Sequence, residues 1–286
     1  MKKQKQPKYT IKDLRKEFPD DDACLEYIFS VRFPNPVCNE CKAKNSFYRV
    51  STRKCYSCSH CGNQIHPLAG TIFHKSSTKL TDWFHALFLF SSSKKGVSGK
   101  DLERQLGVTY KTAWRIAKQI RSLMTQGKNP LDGTVEMDET YVGGKRRGGK
   151  RGRGTDKEAV VGIAQRGGSV RVKHVDNVKS VTLMPMLREN VKLGSAVMTD
   201  EFPVYNRVGR DGYLHEVVQH GIKEYVRGNA HTNTIEGFWS QVKRSISGTH
   251  HAVSPKYLQF YLNEFVWKYN HRDSVIPMFH LLLARA

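Results

Sequence analysis

In the stretch Asn233-Thr-Ile-Glu-Gly-Phe-Trp-Ser-Gln-Val-Lys-Arg-Ser-Ile-Ser247, apolar residues Ile235, Phe238, Trp239, Val242 and Ile246 recur at i, i+3, i+4, i+7 and i+11. That spacing predicts an α-helix with one buried face. At about 100° per residue, Glu236, Ser240, Lys243 and Ser247 share one polar stripe beside the apolar face. Burying the helix therefore also fixes the direction of a carboxylate and an ammonium. Two aspartates upstream are placed to meet them: Asp138, within Thr134-Val-Glu-Met-Asp-Glu-Thr-Tyr-Val142, and Asp200, closing Ser195-Ala-Val-Met-Thr-Asp200. Both segments read as short β-rich strands. Val135 and Met137 alternate with Glu136 and Asp138, so Asp138 projects away from the Val135/Met137 face. Asp138, Asp200 and Glu236 together read as a carboxylate cluster for metal ions. Each also has a plainer reading: an exposed strand residue for Asp138, a turn opener for Asp200, and for Glu236 the far half of a capping box with Asn233 at the N-cap.

The 286-residue chain has room for two or three domains. It contains no apolar run of roughly 18 residues, and its basic start, Met1-Lys-Lys-Gln-Lys-Gln-Pro-Lys8, leads into no apolar segment. The expectation is a soluble, cytoplasmic, nucleoid-associated protein. The formal charge of +21 is spread over both halves, with 24 Lys+Arg against 10 Asp+Glu in residues 1–128 and 23 against 16 in residues 129–286. A polyanion is the natural partner, and nucleic acid fits better than a membrane surface because no long basic amphipathic helix stands out.

Five of the six cysteines lie between Cys38 and Cys61, a clustering that argues for a metal rather than disulfides. Cys38/Cys41 and Cys58/Cys61 form two Cys-x2-Cys knuckles 16 residues apart, the spacing with which four thiolates surround Zn²⁺. Cys55/Cys58 is a second possible knuckle. Cys58/Cys61 is preferred because Gly62 follows it and gives the chain an easy turn. His60 and His66 are bystanders on this reading, and Cys24, alone in a helical pattern, is a packed thiol.

The expected organisation is multidomain, α+β or α/β: an N-terminal helical segment over 1–33, a zinc ribbon over 34–70, a helical region over 71–128 and a catalytic domain over 129–286. In the third part, Ser98 caps a helix carrying Leu102 and Leu106, Gly107 makes a turn, and Thr109 caps a second helix carrying Ala113, Ile116, Ala117 and Ile120. This is a helix-turn-helix pattern, whose second helix would present Tyr110, Lys111, Thr112 and Arg115 to DNA. The alternative is an ordinary helical hairpin.

Beyond the linker Gly127 to Gly133 the period changes from 3.6 to 2. The Gly-rich loop Gly143 to Thr155 holds Lys145, Arg146, Arg147, Lys150, Arg151 and Arg153, suited to clamping a phosphate backbone; the alternative is a solvated hairpin loop. Strands over 159–164 and 169–175 follow, then a helix over 180–193 broken or started at Pro185, a strand over 196–199 ending at Asp200, and a final helix starting near Ser254-Pro255. Three strands, a helix, a fourth strand and later helices match the ribonuclease H-like fold, a mixed sheet with one aspartate on the first strand and another after the fourth.

Hydrolysis of a phosphodiester calls for charge neutralisation and an activated oxygen, both of which paired Mg²⁺ (or Mn²⁺) ions supply. Asp138 would bridge the pair, Asp200 and Glu236 would each complete one ion, and Lys243 would meet a phosphate as a point charge.

From about Pro36 to His271 the chain resembles insertion-sequence transposases of the DDE type, with an N-terminal zinc ribbon and an ISXO-like catalytic domain. The knuckles, Gly70-Thr-Ile-Phe73, Met137-Asp-Glu-Thr-Tyr-Val-Gly-Gly144, Thr199-Asp200 and His231-Thr-Asn-Thr-Ile-Glu-Gly-Phe-Trp-Ser-Gln-Val-Lys-Arg244 carry the resemblance. It implies that Asp138, Asp200 and Glu236 are the three carboxylates and Lys243 the following basic residue. Relatives with Asn in the third position make Asn233 a rival or auxiliary ligand, and Cys55 departs from the family pattern. The implied function is binding of terminal inverted repeats, followed by Mg-dependent strand cleavage by water and strand transfer by the released 3′-hydroxyl, in a homo-oligomer on double-stranded DNA. The rivals are a nuclease or resolvase on the same fold, and a zinc-ribbon DNA-binding regulator with vestigial carboxylates.

Overall fold

The computed structural model describes residues 7–144, 155–218 and 231–286. In chain order the first elements are α1 (Ile11–Glu17), α2 (Asp21–Arg32), β1 (Phe47–Val50), β2 (Cys55–Cys58), β3 (Gln64–Ile65), α3 (Leu80–Ser92), α4 (Gly99–Leu106) and α5 (Tyr110–Leu123). They are followed by β4 (Thr134–Val142), β5 (Glu158–Gln165), β6 (Val170–Val175), α6 (Ser180–Asn190), β7 (Ala196–Asp200) and β8 (Leu214–Val218). The chain closes with α7 (Asn233–Ser245), α8 (Pro255–Asn270) and α9 (Met278–Leu283). Two compact units result: one holds the chain up to Ser93 with Gly99–Leu123 and Ser274–Ala286, the other Lys94–Ser98 with Met124–Asp273. Among the described residues no helix is long and apolar enough to cross a membrane.

The first unit is built on α3, which is apolar nearly all round and buries Leu80, Trp83, Phe84, Ala86, Leu87 and Phe90. Phe18, at the end of α1, meets Phe84 edge-on at 4.7 Å, and Phe279 of α9 joins the same group, with Tyr9 stacked on it at 5.0 Å. Helix α9 lies beyond the helix expected to be the last, and its six residues are too few to show a clear period. The three antiparallel strands β1-β2-β3 form the ribbon. They meet α2 through Phe29, stacked on Tyr56 at 3.8 Å.

In the second unit a five-stranded sheet runs in the order β6-β5-β4-β7-β8. The pairs β4–β5 and β5–β6 are antiparallel, whereas β4–β7 and β7–β8 are parallel. Strand alternation divides the core between two faces. Val135, Met137, Val161 and Ile163 pack with Leu183 and Leu187 of α6, while Val160, Ala164 and Val172 pack with Ile235, Phe238, Trp239 and Val242 of α7 and Leu258 and Leu262 of α8. The result is a sheet with helices on both sides.

One edge of that sheet is closed by side chains. The Val172 N–H donates to Gln126 Oε1 at 2.8 Å, the His174 N–H to Gln259 Oε1 at 2.8 Å, and the Val170 N–H to Asn270 Oδ1 at 2.7 Å. Gln126 and Asn270 return bonds to the Val172 and Val170 carbonyls. Three side-chain amides thus stand in for a further strand along β6.

Two details differ from the sequence expectations. Helix α6 runs through Pro185 and stops at Asn190. A proline there leaves one carbonyl in the preceding turn without a helical partner, and Val181, four residues earlier, is 77 % exposed, on the solvent side of the helix where such a loss costs least. Strand β8, with Leu214 outward and alternate residues half-buried, completes the parallel edge and carries too weak an apolar pattern to be read from the sequence.

Candidate active site and zinc centre

The zinc centre is made by two similar turns. In each knuckle the residue after the second cysteine takes positive φ, Lys42 at 61° and Gly62 at 75°. Its N–H returns to the carbonyl of the first cysteine, Lys42 to Cys38 at 3.0 Å and Gly62 to Cys58 at 2.9 Å. Across the turns, Cys38 Sγ and Cys61 Sγ are 3.4 Å apart, and Cys41 Sγ and Cys58 Sγ 3.6 Å. Four sulfurs at a zinc–sulfur distance of about 2.3 Å stand roughly 3.8 Å from one another, so the set fits Zn²⁺. The Cys41 N–H, with that of Glu40, lowers the Cys38 thiol, while the Cys61, Cys58 and Cys38 sulfurs raise that of Cys41, the mutual opposition of gathered thiolates that a bound cation offsets. Cys55 is excluded: residues three apart on a strand face opposite sides, and its sulfur meets Gln64 Oε1 at 3.6 Å. Cys24 is fully buried, and burial pushes its thiol up to about 12.

The carboxylates gather on the second unit. Glu136 pairs with Met198 in the parallel register of β4 and β7, so two residues further along each strand stand Asp138 and Asp200. Asp138 Oδ2 accepts from the Trp239 indole N–H at 3.0 Å. Burial, then the charges of Glu139 and Asp200, push the Asp138 carboxyl up to about 7. Asp200 Oδ1 accepts from the Phe202 N–H at 3.0 Å, which holds the carboxylate at the end of its strand. On the opposite face, Tyr205 donates to Glu139 Oε2 at 2.8 Å; burial and the neighbouring carboxylates hold its hydroxyl well above the ordinary value, so it remains a donor. Among the described residues the four cysteines are the one group of three or more His, Cys, Asp or Glu whose ligand atoms all lie within 4.8 Å. Asp138, Asp200 and Glu236 are not drawn that tightly together.

Glu236 is exposed in the first turn of α7, and its Oε1 accepts from Thr232 Oγ1 at 2.8 Å. The capping box with Asn233 is not formed: Thr232 occupies the cap position without a side-chain cap bond, and Asn233 is the first helical residue, exposed. The amides of that turn go instead to Glu136, at 2.7 Å from Thr234 N and 3.0 Å from Ile235 N. Lys243 is exposed two turns on from Glu236, as its stripe requires. Close approach of α7 to the sheet depends on Gly162, the β5 partner of Asp138, where an added Cβ would stand 2.5 Å from Trp239 Cζ2.

Glu136, Trp239 and Gly162, which the structure places against Asp138 or the start of α7, are not among the site residues singled out from the sequence. For Glu136 the alternation that singles out Asp138 was a usable signal; the indole bond of Trp239 was hidden by its place on the apolar face.

In the first unit, α4, the turn at Gly107 (φ 63°) and α5 follow one another as expected, and the Thr112 N–H meets Thr109 Oγ1 at 3.4 Å. Tyr110 and Lys111 are exposed and Thr112 half-exposed. Arg115 is turned inward: its guanidinium donates to Ser76 Oγ at 3.3 Å and lies over the Trp83 ring. Lys145, Arg146, Arg147, Lys150, Arg151 and Arg153 lie outside the described residues.

Comparison with known proteins bears on both regions. The family described as the ISXO2-like transposase domain matches residues 130–270, and the transposase zinc-ribbon domain matches residues 19–64. A protein in transposable element ISH50 of Halobacterium salinarum is 31% identical over 274 residues, which cover 87% of this chain and 91% of that protein. A transposase-like protein of Haemophilus influenzae is 30% identical over 99 residues, 35% of this chain and 79% of its own. A chain from a simian T-cell lymphotropic virus intasome in complex with PP2A regulatory subunit B56 gamma aligns over 66% of each chain at 14% identity, and its TM-score of 0.33 is too low to bear on the fold. Since the ISH50 protein is similar along nearly its whole length and the two family matches fall on the ribbon and on the carboxylate-bearing sheet, the chain belongs to the ISXO2-like insertion-sequence transposases with a zinc ribbon.

Proposed function

We propose that the protein cuts and joins DNA at the ends of its insertion sequence, with Asp138, Asp200 and Glu236 holding Mg²⁺ or Mn²⁺ on a ribonuclease H-like domain over 129–286. The observation that carries this reading is the adjacency of Asp138 and Asp200 on neighbouring parallel strands, on the sheet to which the Glu236 helix is fastened. The strand order, with three antiparallel strands and two more parallel to the first, supports the fold assignment. Raising the Asp138 carboxyl to about 7 by burial and like charge is what gathering acidic oxygens for a cation entails, since the ion offsets that repulsion. Hard oxygen donors of this kind suit Mg²⁺ or Mn²⁺, which would activate water and steady the leaving oxygen.

Within this chain, Asp138 is held by the Trp239 indole and Asp200 by the Phe202 amide, so both carboxylates are oriented beforehand. Lys243 meets a phosphate from the same stripe as Glu236. The ribbon over 34–70 and the helix-turn-helix within 71–128, in the fragment that begins with the segment 1–33, bind the terminal repeats, with Tyr110, Lys111 and Thr112 at the DNA, Arg115 held by Ser76 and Trp83, and the basic residues from Lys145 to Arg153 on the phosphate backbone. Two ends must be brought together, so the working form is a homo-oligomer.

The test uses the full chain, a duplex carrying the element's end, and Mg²⁺. Asp138→Asn, Asp200→Asn and Glu236→Gln should each lower nicking and joining by more than about 100-fold while end binding persists, since even outer partners of a metal site cost 10–100-fold. Near wild-type nicking by Glu236→Gln would transfer the third role elsewhere, with Asn233 the first candidate.

A further inference from the structure

We propose that Glu136 is a positioning residue that holds the first turn of α7, and with it Glu236, against the strand bearing Asp138. The inference rests on the reading of Asp138 and Glu236 as ligands and adds what sets their relative placement.

Glu136 lies on the same face of β4 as Asp138, two residues before it, and is completely buried. Its oxygens are fully engaged. Oε1 accepts from Arg166 Nε at 2.8 Å and Thr234 Oγ1 at 2.9 Å, and Oε2 accepts from the Thr234 and Ile235 amides at 2.7 and 3.0 Å. A carboxylate offers about four lone-pair sites, so none remains for a metal. Glu136 therefore does a different job from Asp138 despite its chemistry and location.

That job is to cap a helix from a distant strand. The first amides of a helix have no partner within it, and here the adjacent side chain does not supply one. The capping carboxylate comes from 98 residues away, and its negative charge also suits the positive end of the helix. Arg166 extends the clamp by donating to the His231 carbonyl at 2.8 Å. Because Glu136 satisfies the amides, the Thr232 hydroxyl is left to donate to Glu236. One strand thus grips α7 twice, by Glu136 at its start and by Asp138 through Trp239 further along. The second grip survives loss of the first, so weakening Glu136 should loosen the turn that carries Glu236 and leave the rest of α7 packed.

The test compares the full-length wild type with Glu136→Gln, which keeps shape and loses charge, and with Thr234→Val, which removes one contact and leaves the buried charge in place. Amide hydrogen exchange is read over residues 232–236 and, as internal reference, over β4 and α8. The Mn²⁺ concentration for half-maximal nicking is measured beside it. Glu136→Gln should exchange faster at 232–236 alone and need roughly tenfold more Mn²⁺, in the range typical of outer partners of a metal site, with the saturated rate little changed. Thr234→Val should move both readouts in the same direction by less. Unchanged exchange at 232–236 overturns the inference, as does faster exchange spread through β4 and α8 with an unaltered metal requirement. Glu236→Gln runs in parallel: if it nicks normally, the ligand reading fails, a result separable from failure of the clamp because exchange is read without activity.

Discussion

At the scale of single residues, the position of each sulfur separates two kinds of cysteine. Cys38, Cys41, Cys58 and Cys61 converge, while Cys55 faces Gln64 and Cys24 is sealed in a helix. Replacing Cys55 by Ser should leave one zinc per chain by atomic absorption, and replacing Cys58 by Ser should lose it. With its thiol at about 12, Cys24 carries a thiolate fraction of only about one in ten thousand at pH 8. Iodoacetamide at that pH should leave it unlabelled in the folded, zinc-loaded protein; prompt labelling by mass spectrometry would mean that the helix opens readily. Gly162 is the other residue whose identity is dictated by space. Gly162→Ala drives a methyl into Trp239 and Ile235 and should cost about 1–3 kcal/mol of stability in denaturant melts, the usual size for overpacking.

Elements in this molecule are closed off by side chains from elsewhere in the sequence. The β6 edge takes its partners from Gln126, Gln259 and Asn270, and the start of α7 takes Glu136. Asn270→Ala would leave the N–H of the buried Val170 unmatched, while its carbonyl would keep the Arg171 guanidinium at 3.2 Å. A loss of about 1–3 kcal/mol should follow, as for a buried donor left unsatisfied, with faster amide exchange at Val170 itself. A melting temperature and exchange rate equal to wild type would show that water substitutes fully for the side-chain amide. Such edge cover has a clear physical benefit, because an open row of strand N–H and C=O groups invites pairing with another chain.

For the whole molecule the governing quantity is charge. An excess of +21, spread over both halves, predicts that binding of the full chain to duplex DNA is dominated by phosphate contacts. Affinity for the element's end, followed by fluorescence anisotropy, should fall on the order of 1,000-fold between about 50 and 200 mM salt if some six phosphates are neutralised. A nearly flat salt response would contradict a phosphate-led interface. Replacing Lys111 by Ala should lower affinity for all duplexes alike if it meets phosphate, and replacing Tyr110 by Ala should narrow the preference for the end sequence if it meets bases.

What the sequence by itself determined are properties set by local order. Cysteine spacing marked the four zinc ligands, the 3.6-residue period of Ile235 to Ile246 marked α7 and its polar stripe, and alternation in β4 gave the face on which Asp138 stands. These follow from chain geometry over a few residues, which holds whatever the partners are. Only the tertiary structure decided which groups complete those elements. Asn233 looked like the cap of α7, yet a fully buried Glu136 does that work; Trp239 looked purely apolar, yet its indole N–H holds Asp138; Arg115 looked free for DNA, yet it is bound to Ser76 and Trp83. The reason is that an unsatisfied N–H or carboxylate accepts whichever partner folding brings within about 3 Å. Local pattern announces the need for a partner and does not name it.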